Sequence, residues 1–241
     1  MLYFATPAQR PIMTTISANL QAVLARIDTA AQHYGRDPHD IALLAVSKTW
    51  PAACVRDAAA AGQRAFGENY VQEGIEKVAE LQSLGLAWHF IGPLQSNKTR
   101  LVAEHFDWVH SIDRLKIAER LSEQRPALLT PLSVCLQVNV SNEATKSGVS
   151  LDEAPRQAQE IAHLPRLRLR GLMAVPAATD DFTAQRLPFR RLRELYEQLR
   201  ADGLPLDTLS MGMSHDLEAA VAEGTTLLRV GSAIFGERNH R

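Results

Sequence analysis

The sequence predicts a single-domain α/β protein, a (β/α)8 barrel with an extra helix on its N-terminal side. Three observations predict it. Short apolar runs alternate with longer stretches of helical apolar spacing, and no linker, low-complexity segment or like-charge block divides them. Eight such runs fall in roughly 200 residues, which suits a closed barrel. The first run, Ile41-Ala42-Leu43-Leu44-Ala45-Val46, is apolar on both faces, as strands of a parallel sheet covered by helices are. Strict alternation also fits an open doubly wound sheet; the strand count favours closure.

The elements follow in order. A helix over about Thr15 to Tyr34 carries one stripe, Ile16, Leu20, Val23, Leu24 and Ile27, and Gly35 ends it. After the strand Ile41–Val46, Pro51 stands at the favoured first position of a helix. Further strands are expected at Arg64–Phe66, Trp88–Ile91, Trp108–His110, Ser133–Val140, Leu167–Met173, Thr208–Met211 and Leu227–Val230. Helical spacing runs through Tyr70–Leu84 (Val71, Ile75, Val78, Leu81). Asp113 reads as an N-cap before Leu115, Ala118 and Leu121. Phe189, Leu192, Tyr196 and Leu199 line a helix that Gly203 terminates. Leu217 and Val221 line the next, with Ser214 as its N-cap and Gly224 at its end. Residues 1–13 are expected to form a flexible tail ahead of a domain spanning 14–241, with Met13 as an alternative start.

Composition narrows the function classes. The chain has 241 residues, 46% hydrophobic and 22% charged, ordinary for a globular protein and unlike a disordered or membrane-embedded one. Its net charge of −1 lacks the basic surplus that nucleic acid or an anionic membrane calls for. Cys54 and Cys135 stand far apart, with no motif for a disulfide framework or a zinc site. No run of about 18 apolar residues occurs, and the N-terminus is too short and proline-interrupted for a signal core. A cytoplasmic protein is expected.

In a barrel, functional groups gather where strands end. Lys48 follows six apolar strand residues. Desolvation there disfavours the ammonium and leaves a free amine able to condense with a carbonyl; the plain alternative is a lysine reaching solvent. Gly212-Met213-Ser214 and Gly231-Ser232 follow the seventh and eighth strands, where barrels often bind phosphate on backbone N–H groups; the plain alternative is a cap and a tight turn. Asp216 would compete for that helix end. Arg229, between apolar residues, calls for a partner: a carboxylate at the rim, a phosphate or a ring nitrogen. An amine, a phosphate cradle and an isolated arginine suggest pyridoxal phosphate. A Schiff-base aldolase acting on a sugar phosphate would use the same amine and cradle, and only Arg229 tilts between the two. His89, His105 and His110 look too scattered for a metal, and no metal site is expected. Trp88, Trp108 and Phe90 read as core, Arg168 and Arg170 as a solvated or salt-bridged face, and Arg190, Arg191 and Arg193 as the wet side of a helix.

The strings LLAVSKTWP, FGENYVQE, WHFIGPLQSNK, HSIDRLKIAERL, VNVSNEATKSG, RGLMAVP and SMGMSHDLEAAVAEGTTLLRVGSAIFGER resemble the pyridoxal-phosphate homeostasis protein family, over about Thr15 to Arg238. That family is similar to the barrel of alanine racemase (fold type III among pyridoxal-phosphate proteins) without its second β domain. The resemblance implies Lys48 as the Schiff-base lysine, Met213, Ser214, Gly231 and Ser232 as the phosphate site, and Arg229 facing the pyridine nitrogen. Asn69 would lie beside the ring, and Lys146 matches a second family lysine near the site. Ser232 stands where the family often has threonine, and the hydroxyl survives.

The implied role is to hold, buffer and deliver pyridoxal 5'-phosphate without turnover. In the resembling racemases a second proton-transfer group, a tyrosine, comes from a partner's second domain, and here only Tyr70 lies near a strand end. A racemase or related lyase using Lys48 is the enzymatic alternative. An RNA-binding interaction module lacks motive force at this net charge. Expected partners are the cofactor and apoenzymes that accept it, with no nucleic acid, no membrane and a monomeric state.

Overall fold

The computed structural model describes residues 12–237, apart from 142, 144 and 145. Of the expected tail, residues 1–11 lie outside the described residues. Ile12 and Met13 already belong to α1 (Ile12–His33), which begins three residues ahead of the expected helix.

The apolar runs are strands, within a few residues of their expected bounds. They are β1 (Ala42–Val46), β2 (Ala65–Glu68), β3 (Ala87–Phe90), β4 (Trp108–Ile112), β5 (Leu132–Gln137), β6 (Leu167–Met173), β7 (Thr208–Ser210) and β8 (Leu227–Val230). Among the described residues they pair in parallel in chain order, and β8 returns to β1 with Leu44 opposite Arg229. The sheet is therefore closed, and the open doubly wound alternative is excluded. Outside it lie α2 (Ala52–Ala60), α3 (Val71–Glu80), α4 (Thr99–His105), α5 (Leu115–Gln124), α6 (Ala154–Ala162), α7 (Phe182–Ala201), α8 (Leu217–Ala222) and α9 (Ser232–Phe235).

The main core sits between strands and helices, where Phe66, Trp88, Phe90 and Phe106 pack on the outer face of β2 and β3. The extra helix α1 buries Ile16, Leu20, Val23 and Ile27 against α2, α8 and α9. Burying one such side chain contributes about 1.5–3 kcal/mol, so this stripe is enough to seat the helix. Among the described residues no helix is long and apolar enough to cross a membrane.

Four local expectations are corrected. Pro51 is the N-cap of α2 rather than its first helical residue; its ψ of 158° is still extended. Asp113 does not cap α5: Arg114 holds that position, and the Asp113 carboxylate accepts from Arg114 Nη1 at 2.7 Å. Ser214 does not cap α8, because the loop runs on to Asp216 at the cap position. The expected strand to Val140 stops at Gln137, since Val138 pairs outside the barrel with Val149. The arginines of α7 are also not simply wet. Arg186, Arg190 and Arg193 converge on Glu223, whose side chain is 1% exposed. Arg170 does pair with Asp207, as a salt-bridged face would.

Candidate functional site

The C-terminal ends of the strands surround a cavity of about 550 Å³. Lys48, Asn69, Lys146, Met213, Ser214, Arg229, Gly231 and Ser232 all line it, so the eight residues that the resemblance implied for the site meet at one place. Val46, Ile91 and Met173 supply apolar wall, and His215 a further edge. A larger groove of about 740 Å³ lies between α1 and the start of α7 and shares only His215 with the first. It lacks the convergence of strand ends and carries none of the expected residues.

Each group is placed by its element. Lys48 leaves β1 half-buried between Ser47, which is buried, and Thr49, which sits at φ +68°. Asn69 leaves β2, and its main chain touches the next loop so closely that a Cβ on Gly92 would lie 2.2 Å from the Asn69 carbonyl oxygen. The buried Asn69 Oδ1 has no hydrogen-bond partner among the described residues. Tyr70, the tyrosine nearest a strand end, is 55% exposed and does not line the cavity.

Two loops form the opposite wall. Gly212 turns at φ +93° against Ala220 and Leu228, where a side chain would strike both. The Met213 N–H donates to Asp216 Oδ1 at 2.6 Å. Asp216 is buried and does not line the cavity, so its charge braces the loop from behind. Ser232 Oγ donates to Ser214 Oγ at 3.3 Å and joins the two loops. The helix α1 holds both. Arg26 Nη1 donates to the Ser214 carbonyl at 2.7 Å while its other nitrogens grip Glu218, and Asn19 Nδ2 donates to the Ile234 carbonyl at 3.0 Å.

Arg229 rises from β8 and is 4% exposed. Its partner is not a rim carboxylate. It donates to Ser210 O at 2.5 Å, Ser210 Oγ at 2.7 Å and Ala174 O at 2.8 Å. Burial pulls its pKa down to about 10, which still leaves it protonated at neutral pH, a donor only.

Sequence reasoning missed what lies below. His89 and His110, expected to be scattered, touch inside the barrel: His89 Nδ1 and His110 Nε2 are 2.8 Å apart, and His110 Nδ1 is 2.8 Å from Ser210 Oγ. A polar chain thus descends from Arg229 through the lumen, because inward-facing residues of strands on different sides of the barrel meet in stacked layers on its axis. Burial holds His89 down at about 3 and His110 well below the usual imidazole range. The second omission is an ion cluster beside Lys48, in which Lys77 Nζ donates to Glu68 and Glu73. Only the four-residue spacing of Glu73 and Lys77 signalled it. Among the described residues no group of three or more His, Cys, Asp or Glu could hold a metal.

The family model described as "Alanine racemase, N-terminal domain" matches residues 18–239. The chain is 62% identical over 228 residues to the pyridoxal phosphate homeostasis protein of Pseudomonas aeruginosa, covering 95% of this chain and 98% of that one. It is 54% identical to the protein of the same name from Escherichia coli K12, covering 95% and 99%. Among solved structures, PipY of Synechococcus elongatus PCC7942 with PLP bound superposes with a TM-score of 0.81 at 38% identity, covering 92% of this chain and all of that one, 100%. Alanine racemase of Corynebacterium glutamicum shares the fold at a TM-score of 0.66 and 17% identity, this chain matching 60% of its length.

Proposed function

The chain belongs to the pyridoxal phosphate homeostasis protein family, built on the N-terminal domain of alanine racemase, and on that premise we propose that it binds pyridoxal 5'-phosphate in the 550 Å³ cavity with Lys48 as the covalent anchor. The observation that carries the reading is the convergence of one strand-end amine, two tied loops and a buried guanidinium on a single cavity.

The residues present fit the group. The volume is that of a small-molecule site. The unpartnered Asn69 Oδ1 is an acceptor waiting for a donor, and a buried acceptor left idle is costly. Arg229 already gives hydrogen bonds to three neutral oxygens, and as a fixed donor it suits an unprotonated ring nitrogen. The loops carrying Met213, Ser214, Gly231 and Ser232 offer an anion the Ser214 and Ser232 hydroxyls and main-chain N–H groups other than that of Met213, which Asp216 already holds.

When bound, the cofactor supplies an aldehyde carbon that one primary amine can take over from another. Lys48 anchors, Arg229 and Asn69 orient, the two loops hold the anionic end, and Lys146 offers a second amine in the same cavity. The role we read is holding and handing on, to amines or to apoenzymes, by a monomer and without turnover. Proton transfer on both faces of a substrate carbon needs two placed groups. Among the described lining residues there is no tyrosine, aspartate or glutamate; Lys146 and His215 are the side chains that could act from a second face, so α-proton exchange decides between holding and turnover.

The test is to incubate the purified chain with pyridoxal 5'-phosphate, reduce with borohydride and map the peptides. The added mass is expected on Lys48, and Lys48→Ala should lose both it and the absorbance near the visible edge. A label on another residue, or none, overturns the assignment. Turnover-rate exchange of an amino-acid α-proton into deuterated water would overturn the holding role and favour the racemase.

A further inference from the structure

Lys48 is the middle residue of a turn clamped on both flanks. On one side, Ser47 Oγ donates to Glu68 Oε1 at 2.6 Å, and the Ser47 carbonyl accepts from Lys77 Nζ at 2.8 Å. On the other, the Thr49 N–H donates to Glu73 Oε1 at 2.5 Å. The same Lys77 ammonium donates to Glu68 at 2.8 Å and to Glu73 at 2.7 Å, so one cation on α3 ties together both carboxylates and the turn. None of these three side chains lines the cavity; they lie behind it, against the outer side of the turn.

The turn is strained where it is clamped. Thr49 is β-branched and sits at φ +68°, in the left-handed region that such residues avoid. Strain of this kind persists only where the surroundings impose it, and it concentrates at functional sites. Two contacts hold it there: the Trp50 N–H donates to the Ser47 carbonyl at 3.0 Å and closes the turn, and the Glu73 carboxylate holds the peptide that joins Lys48 to Thr49. Lys77 is 6% and Glu68 0% exposed in their side chains, an expensive arrangement for a surface-helix residue and a strand end unless it fixes something.

We infer that Glu73, braced by Lys77 and Glu68, is a positioning group for Lys48, fixing the turn so that the amine is delivered into the cavity in one orientation. The inference rests on the reading of Lys48 as the anchoring amine. Glu73 lines no part of the cavity and acts through the peptide that joins Lys48 to Thr49. Glu73 is the informative residue to change, because its side chain is 27% exposed on a helix, where alanine is well tolerated.

The experiment follows the rate of covalent capture of pyridoxal 5'-phosphate by the full chain as the cofactor concentration is varied. In Glu73→Ala the limiting rate should fall about tenfold, the scale of misplacing a reacting group by a fraction of an ångström. The half-saturating concentration, set by the loops after β7 and β8, should stay put. Glu73→Gln keeps the acceptor for the Thr49 N–H and should recover the rate to within about threefold. Adding Thr49→Gly to Glu73→Ala removes the backbone strain and should restore the melting temperature without restoring the rate, which a purely stabilising role would not allow. A Glu73→Ala chain that captures as fast as the unaltered one overturns the inference. A label that falls elsewhere in the unaltered chain overturns the reading of Lys48 itself, and the inference with it.

Discussion

Lowering the pH from 7.5 to 5.0 should destabilise the protein through the His89–His110 pair. The rings meet nitrogen to nitrogen at 2.8 Å, a contact that needs a lone pair on one side. Protonating both rings would set two N–H groups against each other, close to the Arg229 charge that also disfavours His110. Burial holds His89 near 3. In the unfolded chain each ring returns to its ordinary 6.5. Between these limits the unfolded state binds more protons, so stability rises with pH. It is fully present above about pH 6.5 and is lost as pH falls toward the folded values. A ring that stays neutral in the fold at pH 5.0 contributes a loss of about 2 kcal/mol relative to pH 7.5, and the pair about 4 kcal/mol. Burial pushes Glu223 and Asp207 up, but their arginines hold both below the usual carboxylate range. Arg26 holds Glu218 below it too, against a smaller push from burial, and all three stay ionised in this window. Glu68, raised by burial, works in the opposite direction, so the rings are isolated by difference. Urea unfolding of the unaltered chain and of His89→Gln/His110→Gln at both pH values measures it. The double variant should lose about 4 kcal/mol less over the interval. Equal losses in the two proteins would refute the reasoning.

Two further outcomes follow from the loops. Arg26→Ala removes the donor to the Ser214 carbonyl at 2.7 Å and a half-exposed ion pair, together about 1 kcal/mol. Pyridoxal 5'-phosphate should bind about fivefold more weakly by calorimetry, while pyridoxal, which has no phosphate, should bind unchanged; equal weakening of both would show that α1 does not shape the anion loops. Gly92→Ala places a Cβ 2.2 Å from the Asn69 carbonyl oxygen and should cost about 2 kcal/mol. In a chain of this size that lowers the melting temperature by roughly 4–8 °C, and an unchanged melting curve would mean that the two loops part freely.

Much of the barrel was legible because strands buried on both faces leave an unbroken apolar run, as at Ile41–Val46 and Leu227–Val230. The cavity was legible for a related reason: polar residues directly after such runs, Lys48 and Asn69 among them, must sit at strand ends. Caps were harder. Asp113 has the right side chain one residue too early, and its neighbour Arg114 takes the carboxylate instead. Polar residues within strands were harder still. His89, His110 and Ser210 are far apart in the chain and become neighbours only because closure brings β3, β4 and β7 around one axis. Glu68 reads as part of a loop, since the expected strand stops at Phe66; the extra residues of β2 carry it onto the helix-facing side of the sheet, against Lys77 of α3.

The seam between β1 and β8 joins the barrel strand that leaves the ribosome first to the one that leaves it last. Lys48 hangs from one side of that zipper and Arg229 from the other. On the proposed reading of Lys48, a half-made chain would own the amine but not the socket that retains the aldehyde. Once the eighth stave locks in, a ligand held at both edges as proposed would work as a rivet across the join that synthesis completes last, so occupancy should slow the opening of that seam more than any other.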